Sequence, residues 1–328
     1  MARLSKTQLL GMMLEGLVDA GWRASALEKT HPFLISTEDP AGQGLVFRAF
    51  IWNCTHGGGS KRSDNEYRIQ FTSAVPKAEK RYETALLGWH DGYEVFAAWD
   101  IRKHDNQVSK SPSAQVKEEA LQGAHVNGFA TYARQNGEIV IAFRREFLGE
   151  YLHAARRLHS GGAAARDFSI LNKVGDLRPK DIDAIHNMER RWIVATIARR
   201  YRAADFRRRV LSAYGHRCAV CGLQLDLVEA AHINPVTERT STDETANGLA
   251  LCPLHHAAYD RRVISITESY NVEVSETRMA TLATANRGAG AGEFRANLKP
   301  AILLPADKRD YPKKQHLRRG RVARGWNP

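Results

Sequence analysis

The chain has 328 residues, 43% hydrophobic and 26% charged, an ordinary globular composition with room for about two domains. No run approaches the roughly 18 apolar residues of a helical membrane span, so no membrane partner is expected. The formal charge of +12 favours a polyanionic partner.

In chain order, Leu9, Leu10, Met13, Leu14 and Leu17 recur at helical spacing, and Glu15 and Asp19 interrupt them. That pattern predicts an amphipathic first helix rather than a signal peptide, and with it a cytoplasmic protein. Strand-like runs follow at 45–52, 66–72, 85–90 and 93–101, and Asp91-Gly92 between the last two is a two-residue hairpin signal. Ser111-Pro112-Ser113 is expected to open a helix of about ten residues with a serine cap. A strand at 138–143 and a helix at 145–158 close the first domain.

Residues 160–165 are small and flexible in composition, and Arg178-Pro179 marks a second break. Residues 181–213 then read as helical, with Ile182, Ile185, Met188, Trp192 and Ile193 on one side. Arg190, Arg191, Arg199, Arg200, Arg202, Arg207, Arg208 and Arg209 crowd this stretch, and the last twenty residues are also basic. For that tail, DNA contact and a disordered solvated segment are equal expectations. The expected division is a first domain at 1–158, a linker and helix at 159–205, a second domain at 206–285, and a basic tail at 286–328.

Of four cysteines, Cys54 stands alone and reads as a small buried residue, whereas Cys218, Cys221 and Cys252 cluster. Cys218-x-x-Cys221 and Cys252-x-x-His255 are two short-spaced pairs that a fold can close into a tetrahedron for structural Zn²⁺. Gly222 suits the tight knuckle behind the first pair. Between the pairs, a strand-like LVEAAHI ends at His232, a polar loop runs to Asn247-Gly248, and a second strand leads to a helix from about Pro253. His256 and Asp260 are four residues apart on that helix and share a face.

The order Ala-Ala-His-Ile, Asn-Gly-Leu, Leu-Cys-x-x-His-His resembles the His-Asn-His (HNH), or ββα-metal, endonuclease motif. The likeness covers about 60 residues and extends upstream through FRRRVLSAYGHRCAVCG. It implies that His232 is the general base on water, that Asn247 braces the loop presenting it, and that His256 holds a catalytic Mg²⁺ or Mn²⁺ with Asp260 as second ligand. Many members carry a metal-binding residue just before the base. Here that position is Ala231, so either Asp260 and waters complete the sphere or Glu229 reaches in. Arg261 and Arg262 either clamp phosphates or finish a helix end that favours cations.

The fold class expected is α+β: an N-terminal mixed α/β DNA-recognition domain, a helical linker and a C-terminal zinc-stapled ββα nuclease domain. The likeness extends to defence endonucleases that join a DNA reader, often of a modified base, to such a module. In the first domain, WNCTHGGG (52–59) is a glycine-rich turn followed by Asp64, Glu66, Tyr67 and Arg68. Its backbone could approach a phosphate, with Trp52 and Tyr67 stacking on a base, while Trp89 and Trp99 read as sheet core. The expected activity is restriction-type cleavage of double-stranded DNA, modified DNA included, by a homodimer, since cutting both strands needs two active sites. The alternatives are a sequence-specific restriction enzyme paired with a methyltransferase, and a non-catalytic zinc-containing DNA-binding regulator.

Overall fold

Runs in which every residue is apolar require a sheet covered on both faces, and residues 23–144 build one. A computed structural model of the protein describes residues 3–39, 41–57, 65–72, 74–105, 112–160, 170–177, 179–186 and 188–326. Its strands are β1 (Arg23–Glu28), β2 (Phe33–Glu38), β3 (Gly44–Asn53), β4 (Thr55–His56), β5 (Glu66–Gln70), β6 (Glu83–His90), β7 (Val95–Trp99), β8 (Ser113–Lys117), β9 (Phe129–Ala133) and β10 (Ile139–Arg144). Seven of them form one sheet in the order β1-β2-β3-β6-β7-β10-β9, antiparallel except where β3 meets β6. The other three make a small sheet, β4-β5-β8.

Helices α1 (Lys6–Asp19), α2 (Glu118–Asn127) and α3 (Leu148–His159) cover the large sheet. Alternate residues divide between its faces. Phe47, Ile51, Leu87, Trp89, Phe96 and Phe143 pack with α1 and α3. Phe50, Trp52, Leu86, Ala97 and Trp99 pack with α2 and the small sheet. All five residues of β7 are buried, which explains why Val95–Trp99 shows no polar alternation.

Helix α4 (Met188–Ala213) crosses the boundary between the two compact units, Met1–Tyr201 and Arg202–Pro328. Its Ile193, Val194, Ile197 and Ala198 belong to the first core, and its Phe206, Val210 and Leu211 to the second. The second unit continues with the hairpin β11 (Glu229–His232) and β12 (Gly248–Leu251), then α5 (Pro253–Asp260). A second hairpin, β13 (Ile264–Ile266) and β14 (Val272–Val274), precedes α6 (Glu276–Thr284), α7 (Ala291–Ala296) and α8 (Lys314–Ala323). The α+β class expected from the sequence is the one observed.

Several elements depart from expectation. The β6–β7 connection pairs His90 with Val95 and leaves a four-residue loop whose left-handed residue is Glu94 (φ 52°), not a two-residue turn at Asp91-Gly92. Tyr93 causes this, because its ring stacks on His90 and its hydroxyl donates to Glu118 at 2.7 Å, which draws it out of the strand. Ser113 opens strand β8 instead of a helix: Ala114 and Val116 alternate into the core, and α2 starts five residues later without a side-chain cap. Ser111 lies outside the described residues, as do 161–169 of the small-residue linker, Arg178, and Gly58, Gly59 and Asp64 of the glycine-rich segment.

On α4, Met188 and Trp192 are exposed because the buried stripe runs one position later, through 193, 194, 197 and 198. The stretch expected as linker is also partly core, since Leu171, Val174, Leu177 and Ile185 are buried with the first sheet. The basic tail is folded as well. Leu317 of α8 and Ile302 are buried in the second core, and Lys299 and Leu303 donate backbone hydrogen bonds to Val220 and Ala219. Removing a fully buried leucine typically costs about 2–5 kcal/mol. We therefore expect Leu317→Ala to destabilise the second unit by that order, read as faster amide exchange in β11–β12. A disordered tail would leave exchange unchanged.

Candidate active site

Gly222 adopts φ 83°, and its N–H returns to the Cys218 carbonyl at 2.8 Å, closing the knuckle that holds Cys218 and Cys221. The Ala219 N–H bonds to Ala250 of β12, which brings the knuckle beside Cys252 at the start of α5. As a result the donor atoms of Cys218, Cys221, Cys252 and His255 lie within 4.8 Å of one another, with no disulfide among them. His255 Nδ1 sits 3.5 Å from Cys218 Sγ and 3.3 Å from Cys252 Sγ. A tetrahedral zinc with Zn–S near 2.3 Å places its donors about 3.8 Å apart, so these four residues fit such an ion.

Their electrostatics point the same way. Burial works to raise the Cys218 thiol, but hydrogen bonds from His255 and from the backbone of Cys252, Cys221 and Val220 outweigh it and bring its pKa down to about 6. Cys221, raised first by burial and then by the neighbouring Cys218, is pushed up to about 12, and burial raises Cys252 too. Three crowded thiols therefore cannot all ionise without a cation between them.

Helix geometry turns His256 about 100° away from buried His255. Its Nδ1 meets Glu229 Oε2 at 2.6 Å, and its Nε2 lies 3.4 Å from Asp260 Oδ2 one turn on. Ala231 is buried and offers no ligand; Glu229, two residues earlier on the same strand face, supplies the carboxylate. Among the described residues these three do not close on one point as the cysteine cluster does. The imidazole bridges the two carboxylates, giving an oxygen- and nitrogen-rich donor set of the kind hard divalent ions take.

His232 ends β11 opposite Gly248. Its ring stacks on Phe206 of α4 with centroids 3.8 Å apart, and Nε2 lies 3.1 Å from Asp243 Oδ1. Asn247 is fully buried and grips the loop rather than the ring. Its Oδ1 accepts from the Asn234 N–H at 2.8 Å, and its Nδ2 donates to the Thr242 carbonyl at 2.7 Å, one residue before Asp243. Arg209 holds the same loop by donating to the Asp243 carbonyl and to Thr245. Part of the arginine cluster is thus structural: Arg208 and Arg209 pair with Asp205, and Arg207 donates to the Val228 carbonyl. Arg261 and Arg262 are exposed just past α5, with Arg262 at φ 62° ending the helix.

Two residues expected to contact DNA sit in the first unit. Trp52 is only 5% exposed; its indole N–H donates to the Thr72 carbonyl and Lys6 covers its ring, so it is a core residue rather than a stacking platform. The alternating pleat accounts for this, since the residues beside it in β3 face the other core. Tyr67 is half-buried and edges His90, with its hydroxyl 3.4 Å from Glu118.

Composition and spacing missed Asp243 and Arg324. Arg324 is nearly buried, and its guanidinium donates to the carbonyls of Ile233 (2.6 Å) and His232 (3.1 Å) and to Asp260 (3.1 Å) while lying 4.1 Å from the Tyr259 ring centroid. Gly320 of α8 lets it approach, because a Cβ there would fall 2.1 Å from the Ile233 carbonyl oxygen. No local pattern marks a residue about 90 positions away in sequence.

A hairpin and helix, stapled by a Cys/His cluster and presenting two further histidines among carboxylates, make a ββα module of nuclease type. Residues 218–267 match the family model described as HNH endonuclease, and residues 46–152 match methylase-associated X1. The second unit therefore carries an HNH endonuclease domain. None of the curated proteins matches the chain. Among solved structures, a modification dependent TagI restriction endonuclease is similar over 84% of this chain and 80% of its own, with 12% identity and a TM-score of 0.30.

Two expectations follow from the geometry. Elemental analysis should find one zinc per chain in the cysteine cluster, and Cys221→Ala should abolish it and leave 216–266 unprotected in hydrogen exchange; zinc-free protein with full protection would contradict this. Arg324→Ala leaves the buried Ile233 carbonyl and the partly buried His232 carbonyl without this donor, each worth about 1–3 kcal/mol, so urea denaturation should show a loss of roughly 2–5 kcal/mol in the second unit.

Proposed function

We propose that the protein is a divalent-metal-dependent DNA endonuclease of the restriction type, with its first unit reading DNA, modified DNA included, and its second unit cutting it. The observation that carries this is the placement of His232 and Glu229 on one four-residue strand, with Glu229 bonded to His256 on the facing helix. His232 is the general base. Asp243 engages Nε2, so Nδ1 is the atom that takes a proton from the attacking water, and the carboxylate stabilises the imidazolium that results. Phe206 covers one face of the ring, and Asn247 and Arg209 fix the loop that carries Asp243. Glu229, His256 and Asp260 would hold Mg²⁺ or Mn²⁺, which when bound stabilises charge on the phosphate and the leaving oxygen. Cys218, Cys221, Cys252 and His255 would hold structural Zn²⁺. Exposed Arg261 and Arg262 contact phosphates. Cutting both strands calls for a homodimer.

The name of the family matched by 46–152, methylase-associated X1, supports a second reading: a restriction enzyme that works beside a partner methyltransferase and reads unmodified sequence. Challenging the full-length protein with unmodified, methylated, hydroxymethylated and phosphorothioated DNA in the presence of Mg²⁺ or Mn²⁺ separates the two. Cleavage confined to one modified substrate supports the first reading, and cleavage of unmodified DNA alone supports the second.

General-base catalysis typically contributes about 10²–10⁴-fold. His232→Ala should therefore keep its fold, zinc and DNA affinity and lose cleavage by at least that order. A variant with wild-type melting temperature and near wild-type cleavage would remove His232 from the mechanism. Lack of any metal-stimulated cleavage in the wild-type protein would favour a DNA-binding regulator.

A further inference from the structure

Among the described residues the Asp243 carboxylate meets a single side chain, His232, and it lies exposed beside the ring. A carboxylate with one partner and open to water is aimed by its backbone. Three grips hold that backbone. Asn247 takes the Thr242 carbonyl, and Arg209 takes the Asp243 carbonyl. The third grip comes from the last helix of the chain. Glu244, next after Asp243, accepts from His316 Nε2 at 2.5 Å through Oε1 and from the Lys313 ammonium through Oε2. The main chain adds two ties at the same turn. The Lys313 N–H donates to the Ala246 carbonyl at 3.1 Å, and the Asn247 N–H donates to the Glu244 carbonyl at 2.9 Å.

Extended backbone sends neighbouring side chains to opposite sides. Glu244 has that conformation (φ −69°, ψ 147°), so with its carboxylate fixed on α8 its neighbour Asp243 is turned toward His232. The Lys313 ammonium and then the His316 imidazole hold the Glu244 carboxyl below the usual carboxylate range, against the upward push of burial. His316 itself is buried, and among the described residues its Nδ1 has no partner. A buried imidazole with one nitrogen unpaired costs more than an apolar side chain in the same place, so packing alone does not account for it. Its ring makes one hydrogen bond, and that bond goes to Glu244.

Helix α8 also reaches His232, because Arg324 at its other end donates to the His232 carbonyl at 3.1 Å. One helix thus bears on both members of the pair, on Asp243 through Glu244 and on His232 directly. We propose that Glu244 is a positioning residue for cleavage, fastened to α8 by Lys313 and His316 so that Asp243 stays aimed at His232 Nε2. The proposal rests on the reading of His232 as the general base. Without the fastening, Asp243 swings away from the ring. His232 then loses the partner that fixes its tautomer and steadies the imidazolium, and fewer bound complexes are in a geometry that reacts. Glu244 faces α8 rather than the substrate, so turnover responds and affinity does not.

The test is steady-state cleavage by the full-length protein with Mg²⁺ or Mn²⁺. Its substrate is whichever of the unmodified, methylated, hydroxymethylated and phosphorothioated duplexes the wild type cuts. Glu244→Ala should lower kcat by about tenfold to a hundredfold, as a displacement of about 1 Å near the reacting groups does, and leave KM unchanged. Glu244→Gln keeps an acceptor for His316 and should recover most of that loss. In an Asp243→Asn background the loss from Glu244→Ala should vanish, because Glu244 acts through Asp243; a merely structural role would add its own loss there. Lys313→Met replaces a half-exposed side chain and should show the same split with a smaller loss, which serves where Glu244→Ala does not fold. Wild-type kcat in folded Glu244→Ala, or in Lys313→Met where the first variant does not fold, overturns the proposal. A loss carried by KM, or one that adds in full to that of Asp243→Asn, overturns it too. If His232→Ala is inactive in the same assay, any of these results removes Glu244 and leaves the general base in place. Wild-type protein that cuts none of the four duplexes with either ion removes both.

Discussion

Three thiols and an imidazole lie within 4.8 Å of one another, a crowding in which the thiols cannot all ionise unless a cation sits between them. The cluster ties the turn after α4 to the first turn of α5, elements that sequence separates by more than thirty residues. Once His255 is committed to that cluster, the helix period leaves its neighbour His256 facing elsewhere, toward Glu229 on β11. The imidazole proposed to hold the catalytic ion thus takes its orientation from its neighbour in the cysteine cluster. The cluster adds its tie to an apolar core in which Phe206, Val210, Ile233, Leu249 and Leu251 are buried around the hairpin.

The other half of the site is held by polar grip. Between His232 and Asn247 the loop contributes little apolar burial, and Asn247, Arg209 and Arg324 take its backbone groups in turn. Each contact is modest in isolation, but each also satisfies a group that would otherwise be buried unpaired, and that penalty gives the arrangement its rigidity. Arg324 has a particular position in this set. It touches the carbonyl of the proposed base and the side chain of Asp260 at once, so the two halves of the site share one rigid, planar reference.

Legibility in the sequence followed the range of the interactions. The cysteine pairs, the adjacent histidines, Asn247 and the ββα order could be read because ligand spacing and helix period are local. Strands β3, β6 and β7 were equally plain as apolar runs. Edge strands β1 and β9 were not, since their solvent faces carry too little contrast. Trp52, last in the 45–52 strand run, was expected to reach DNA because it adjoins a glycine-rich segment, and the pleat instead puts its indole inward. Asp243 and Arg324 escaped for opposite reasons. Asp243 is one acid in a polar loop like any other, and Arg324 is one arginine in a basic tail. Only the folded chain shows that one faces an imidazole and the other a buried pair of carbonyls.

That tail bears on how the net charge of +12 should be used. A basic stretch invites assignment to DNA, but here Arg318, Arg321 and Arg324 are engaged with Glu268, Glu273 and Asp260, and Lys313 with Glu244. Arg321 and Arg324, paired and largely buried, have little left for a phosphate. Other cations stand exposed: Lys314, Arg318 and Arg319 on α8, Arg261 and Arg262 beyond α5, and Arg156, Arg157 and Arg199 on α3 and α4. Such cations supply sequence-independent affinity that weakens with salt, and they distinguish no base from another. Selectivity among DNAs would therefore have to come from groups other than these exposed cations. A chain that binds DNA through exposed arginines and chooses among DNAs by other contacts would show an affinity that salt changes far more than its preference.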